Sequence, residues 1–321
     1  MTDDGTFHIA SRRRRLPAGG ILDYLIARDG TRLRFAKWRT VGEGCRGTVV
    51  LLTGRREFIE KFAETIHDLL DRHFDVCTVE WRGQGLSDRP LENRHKGHVR
   101  NFDEYIDDLH QFIEAIILPD QPRPLILLAH SMGGHCGLRY LHDHPGVFDR
   151  AILSAPMVDI HQGGLPDWVF GAIADTAMRI GRDSAYALGQ HDFDWRDRVF
   201  PGNRLTSDAG RFADEGAFVD QNPELALGGV TYGWLHAALA SVKCIRAPGF
   251  AAAIATPVLL ASAECDRVVS NIAQEALARE LPNCRFVRMS GARHEILKER
   301  DPIRRAFWAA FDEFTGNGAG R

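Results

Sequence analysis

The sequence predicts an α/β architecture: a mostly parallel central sheet flanked by helices, with a helical insertion between two strands. Three observations predict it. Short apolar runs alternate with helix-like stretches, the pattern of successive βαβ units. The runs are apolar throughout, as expected of strands covered on both faces. The alternation then stops between Met157 and about Gly249 and resumes at Pro257.

The elements follow in order. Residues 21–28 and 31–39 read as an opening hairpin turned at Asp29-Gly30. Gly47–Thr53 (GTVVLLT) is a buried strand, and 59–72 a helix with Ile59, Phe62, Ile66, Leu69 and Leu70 on one stripe. Phe74–Glu80 is the next strand, 102–117 a helix, Pro124–Ala129 a strand, Met132–His142 a helix and Arg150–Ser154 a strand. Within the insertion two helices are expected, around 166–180 and 231–245. Strand Pro257–Ala261, helix 270–280, strand 284–289 and a last helix near 301–315 complete the pattern. The expected division is a flexible arm over 1–20, a core of 21–156 and 250–321, and a helical cap over 157–249.

A chain of 321 residues buries roughly 75% of its unfolded surface, so its core needs neither disulfides nor a structural metal. The six cysteines are scattered and form no C-x-x-C pair; they are expected to be reduced and mostly buried. A net charge of −3 argues against a nucleic-acid partner. The run Arg12–Arg15 lacks the apolar core of a secretion signal, because Gly19, Gly20 and Asp23 interrupt it. It reads as a solvated arm, with weak attraction to anionic lipid surfaces as the sharper alternative. No stretch reaches the roughly 18 apolar residues of a membrane span, and a cytoplasmic protein is expected.

The most informative segment is Leu127-Leu128-Ala129-His130-Ser131-Met132-Gly133-Gly134. An apolar strand runs into a serine, and a helix begins directly after it. Such a sharp turn projects the hydroxyl from the sheet edge, and small residues two positions to either side, here Ala129 and Gly133, allow it. The Met132 N–H, at the helix N-terminus, then points toward developing negative charge. A serine hydroxyl needs a neutral imidazole to take its proton and a carboxylate to orient that imidazole. After the strand ending near Ala261 comes Glu264-Cys265-Asp266, and Asp266 is the expected acid, with Glu264 as its competitor. Of the fourteen histidines, His294 lies on the loop after the last strand and is the expected base. His130 is its rival, but is expected to point away from Ser131. A second oxyanion donor is expected from the turn Thr53-Gly54-Arg55-Arg56-Glu57, at the Arg55 N–H; a plain polar turn is the alternative.

The segments TGRREFIEKF (53–62), EWRGQGLSDR (80–89), AHSMGG (129–134), GGVTYGWLHAAL (228–239), ECDRVV (264–269) and GARHEILKERD (291–301) resemble the monoacylglycerol lipase and lysophospholipase branch of the α/β-hydrolases, close to lysophospholipase L2-like proteins. The resemblance implies the α/β-hydrolase fold, a catalytic triad of Ser131, Asp266 and His294, oxyanion donors at Arg55 and Met132, an acyl-ester or lipid substrate, and neither metal nor organic cofactor. Two departures stand out. Thr53-Gly54 replaces the usual His-Gly, so the support of that loop differs. Glu80 replaces the usual Asp ahead of Arg82-Gly83-Gln84-Gly85, which reads as a bracing turn.

Gly54, Arg56, Trp168, Phe170 and Trp234 are the expected substrate contacts. The cap's Trp168, Val169, Phe170, Phe193, Trp195, Trp234, Leu235 and Leu239 either line an acyl-chain pocket or bury the cap against the core. Arg55 and Arg56 either meet a phosphate headgroup or stand as solvated surface arginines. Two other functions remain open: hydrolysis of another acyl compound, and a ligand-binding receptor with a vestigial triad.

Overall fold

The computed structural model describes residues 12–42, 44–160 and 167–316. Eight strands form one sheet in the order β1-β2-β4-β3-β5-β6-β7-β8. These are β1 Ile21–Ile26, β2 Arg32–Trp38, β3 Thr48–Leu52, β4 Asp75–Val79, β5 Leu125–His130, β6 Arg150–Ser154, β7 Val258–Ala263 and β8 Cys284–Met289. β1 and β2 pair antiparallel, as do β2 and β4; every other pairing is parallel.

Strands β3 to β7 are buried almost throughout, because helices cover both faces. The period of two sorts their side chains. Val50, Leu52, Leu127 and Ala129 enter one core together with α2 (Asp103–Phe112) and α3 (Met132–Asp143). Val49, Leu51, Ile126 and Leu128 enter the other, beneath α1 (Ala63–Leu70) and α8 (Asp301–Phe314). The expected helix 59–72 opens with a 3₁₀ turn at Ile59–Phe62, and the expected helix 102–117 ends in a π turn at Ile113–Ile117.

Between β6 and β7 lie three long helices, α4 Asp167–Arg179, α5 Ala209–Gln221 and α6 Tyr232–Ile245; α7 (Asn271–Glu280) then follows β7. α5 was not expected from the sequence. Its start is marked by Asp208, whose carboxylate accepts from the Arg211 N–H at 2.8 Å. Its buried positions, however, include Arg211, Asp214 and Glu215 beside Phe218 and Val219, so no clean apolar stripe announces it. It is held over the core by charge and by one aromatic contact. Arg211 forks onto Glu64 of α1 at 2.8 and 2.7 Å, and Phe218 meets Phe58 edge-on with centroids 5.9 Å apart.

Two expectations are corrected here. The arginine run is not free in solvent: Arg12 pairs with Asp71, and Arg13 and Arg14 pair with Asp214 of α5 at 2.8 and 2.6 Å. Residues 1–11 lie outside the described residues. All six cysteines are free as expected, but Cys45, Cys244 and Cys265 are exposed rather than buried. Among the described residues no helix is long and apolar enough to cross a membrane.

Candidate active site

Ser131 stands between β5 and α3 at φ 51° and ψ −116°. This left-handed backbone costs a residue with a Cβ about 1–2 kcal/mol. The surroundings hold it there: the Ser131 N–H donates to the Ser154 carbonyl at 3.1 Å, and its carbonyl accepts from His135 and Met157 N–H at 3.1 and 2.9 Å. Gly133 is required by close approach to β3. A Cβ there would lie 2.5 Å from the Thr53 carbonyl oxygen and 2.7 Å from that of Leu52.

The structure brings the three expected side chains together from loops after β5, β7 and β8. His294 Nε2 is 2.9 Å from Ser131 Oγ, and its Nδ1 is 2.8 Å from Asp266 Oδ2. A carboxylate can only accept, so Nδ1 carries the proton and Nε2 is left to accept from the serine hydroxyl. Asp266 Oδ1 accepts from the Val268 and Val269 N–H groups at 2.8 and 3.1 Å. Burial works against this carboxylate, but the His294 contact and the two backbone donors outweigh it and hold its pKa below the ordinary value. The competing Glu264 is exposed and accepts from Ser290 Oγ and Gly291 N–H at 3.0 and 2.8 Å. It braces the histidine loop from outside. His130 does not point wholly away, as expected, but lines the same cavity. Its Nδ1 lies 3.1 Å from the Ser154 carbonyl oxygen, and its ring packs 4.9 Å from that of His294.

The turn after β3 has alternate N–H groups taken. Gly54 N–H donates to the Glu57 carboxylate, and Arg56 N–H to Gln84 Oε1 at 2.6 Å. The Arg55 and Met132 N–H groups have no partner among the described residues. They are the two expected oxyanion donors. With Thr53 in place of histidine, the loop is supported from the turn after β4. Trp81 Nε1 donates to the Thr53 carbonyl at 2.8 Å, and Gln84 holds Arg56. That turn is itself pinned by Arg82 forking onto Asp108 at 2.7 and 2.6 Å, and by the buried Glu80 carboxylate, which accepts from Ile59 and Leu86 N–H at 3.0 and 2.6 Å. Arg56 sits at φ 65°, a second strained residue beside the serine.

The cavity at Ser131 has a volume of about 180 Å³, and only Leu205 and Val268 are apolar among its lining residues. None of the described cap aromatics lines this cavity. Gly54 and Arg56 line the cavity. Trp234 is buried against Phe102 at 5.7 Å and meets the site only through the Arg55 guanidinium above its ring. Phe170 is on α4 and does not line the cavity, and the Trp168 side chain lies outside the described residues. Val169 faces a separate, mostly apolar groove of about 650 Å³ beside α4. α4 and α6 pack on each other, and Trp234, Ala237, Ala238 and Ile245 of α6 join the main core rather than the cavity.

Sequence reasoning missed a buried ionic hub in this cavity. Lys61 lies 3.0 Å from Glu57, 3.1 Å from Glu215 of α5 and 2.7 Å from Glu295, the residue after His294. Burial alone would lower the Lys61 pKa; the three carboxylates reverse this and raise it. Arg198 adds a pair to Glu215 at 2.5 Å. The four-residue spacing of Glu57 and Lys61 was a visible signal, whereas nothing in the sequence joined Arg198 or Glu215 to them. Arg55 and Arg56 are partly buried cavity residues, not the solvated surface pair that was one expectation.

The chain resembles known proteins over most of its length. The family described as Serine aminopeptidase, S33 (Hydrolase_4) matches residues 43–301. Lysophospholipase L2 of Escherichia coli (strain K12) is 34% identical over 294 residues, covering 89% of this chain and 84% of that protein. A probable lysophospholipase L2 of Haemophilus influenzae is 30% identical over 292 residues, 91% of this chain and 90% of that one. A soluble variant of the monoglyceride lipase of Saccharomyces cerevisiae, solved with a substrate analog, superposes with a TM-score of 0.72 at 20% identity over 94% of this chain and 98% of that chain.

Proposed function

The chain belongs to the serine aminopeptidase S33 (Hydrolase_4) family of α/β-hydrolases, and from that premise we propose that Ser131 is its nucleophile, His294 its general base and Asp266 the carboxylate that orients the imidazole. The enzyme is a serine hydrolase of carboxylic esters, of the lysophospholipase and lipase type. The observation that carries the assignment of roles is the unbroken contact Ser131 Oγ to His294 Nε2 at 2.9 Å and His294 Nδ1 to Asp266 at 2.8 Å.

In this reading Ser131 Oγ bonds to the ester carbonyl carbon as its proton passes to His294 Nε2. The carbonyl oxygen becomes an oxyanion held by the Arg55 and Met132 N–H groups. Asp266, kept ionised, stabilises the imidazolium without taking its proton. The ester C–O bond then breaks, and His294 returns the proton to the departing alkoxide. Water, deprotonated by the same imidazole, releases the acyl group and restores the serine.

The relatives named lysophospholipase L2 favour a single-chain glycerophospholipid as substrate. The segment 157–249 serves as a cap. Ligand sites usually measure about 300–1,000 Å³, so a cavity of about 180 Å³ holds the ester and glycerol portion and leaves the acyl chain outside it. The same small volume supports a second reading, a short-chain ester hydrolase. Turnover of a lysophospholipid, a monoacylglycerol and p-nitrophenyl butyrate by wild type and S131A tests both. Wild type is expected to prefer a lipid ester, and S131A to lose at least three orders of magnitude in kcat on every substrate. An S131A enzyme with a tenth of the wild-type turnover contradicts the role given to Ser131, and butyrate as the only substrate contradicts the lipid reading.

A further inference from the structure

The charges around Ser131 do not balance in space. Four cationic residues line the cavity, Arg55, Arg56, Lys61 and Arg198, against three acidic ones, Glu57, Glu215 and Glu295. Lys61 contacts all three carboxylates and Arg198 takes Glu215. Neither Arg55 nor Arg56 has a carboxylate within 4.0 Å among the described residues. A half-buried cation held in no direct ion pair is costly. Here two of them are adjacent in the chain.

Their remaining contacts position them without neutralising them. The Arg55 guanidinium donates to the Gly228 carbonyl at 3.2 Å and lies 5.7 Å above the Trp234 ring. The Arg56 guanidinium lies 5.9 Å from the Phe193 ring, and its backbone is fixed at φ 65° by the Gln84 side chain. Aromatic faces and carbonyl oxygens steady a guanidinium while leaving N–H groups unused. Burial, and then repulsion from Arg56, pull the Arg55 pKa down to about 9, which leaves it charged at neutral pH. Burial likewise lowers that of Arg56, with Arg198 adding to the effect and the more distant Glu215, Asp197 and Glu295 offsetting part of it. Both shifts describe sites that a bound anion would relieve.

We infer that Arg55 and Arg56 form an anion subsite that takes the phosphate of a glycerophospholipid ester while Ser131 faces its acyl carbonyl. The guanidinium fork matches phosphate oxygens in pairs, and both arginines line one small cavity with the serine, as the ester and phosphate share one glycerol. The subsite determines specificity: it favours lysophospholipids over neutral monoacylglycerols with the same acyl ester. This rests on Ser131 being the nucleophile of the proposed reaction.

The test compares kcat/KM for 1-myristoyl lysophosphatidylglycerol and 1-monomyristoylglycerol in wild type, R55Q, R56Q and R56K. The ratio of the two cancels any damage to the shared chemistry. It is expected to fall at least tenfold in R55Q and R56Q, through KM for the phospholipid, with partial recovery in R56K. Ratios within twofold of wild type in both glutamine variants overturn the inference. Should either variant fail to fold, wild type hydrolysing p-nitrophenyl butyrate supplies the second measurement. sn-Glycerol 3-phosphate is expected to compete with this neutral ester at concentrations where glycerol does not. No inhibition, or inhibition matched by inorganic phosphate alone, overturns the headgroup assignment. Loss of all ester turnover in wild type, or full turnover in S131A, would instead locate the failure in the role of Ser131.

Discussion

Lys298 follows the loop that carries His294, is 2% exposed, and its ammonium has no hydrogen-bond partner among the described residues. Burial pushes its pKa down to about 8, with Arg304 and Lys61 acting in the same direction and Glu64 and Glu295 opposing. A lysine with a depressed folded-state pKa contributes most to stability above its unfolded value of about 10.4. That contribution is lost as pH falls through about 8. K298M is therefore expected to be more stable than wild type at pH 7 by roughly 3 kcal/mol, with the gap narrowing between pH 8 and 10. Urea denaturation at the two ends of that range measures it; a gap that does not change with pH contradicts the account. Ser131, Asp266 and His294 were each legible in the sequence because their positions follow from strand ends. Lys298 was not, since only the packed structure shows what an ammonium lacks.

At the scale of elements, the hub at Lys61 ties three pieces together: the turn that carries the Arg55 N–H, helix α5, and the loop that carries His294. Removing the ammonium leaves Glu57, Glu215 and Glu295 buried against one another with only Arg198 still paired to Glu215. K61M is expected to cost about 3–5 kcal/mol in urea unfolding and to lower kcat on a neutral ester, because the turn that carries the Arg55 N–H loses its anchor. A loss below about 1 kcal/mol, within the range of a surface pair, would show that the hub is not holding these elements. The strands were legible because burial on both faces leaves apolar runs that few other elements produce. α5 was hidden for the opposite reason: it docks through Arg211, Asp214 and Glu215, and an ionic docking face resembles a solvated one in a linear sequence.

At the scale of the whole molecule, the sheet order places the ends of β5, β7 and β8 on one edge, and the segment between β6 and β7 passes over that edge. The triad was legible because this topology fixes which loops meet. The lining of the cavity was not, because it is made by Arg198, Leu205 and Glu215 arriving from the insertion, whose path over the core no local pattern encodes. The apolar residues of that insertion suggested a lipid channel; the charged ones reached the serine instead. The proposed reaction depends on a hydroxyl made reactive by an imidazole and a carboxylate from distant parts of the chain. Mass-spectrometric mapping of a fluorophosphonate adduct tests that most directly. One adduct per chain is expected on Ser131, forming at least a hundred times more slowly in H294A. An adduct on another serine, or undiminished labelling in H294A, would contradict it.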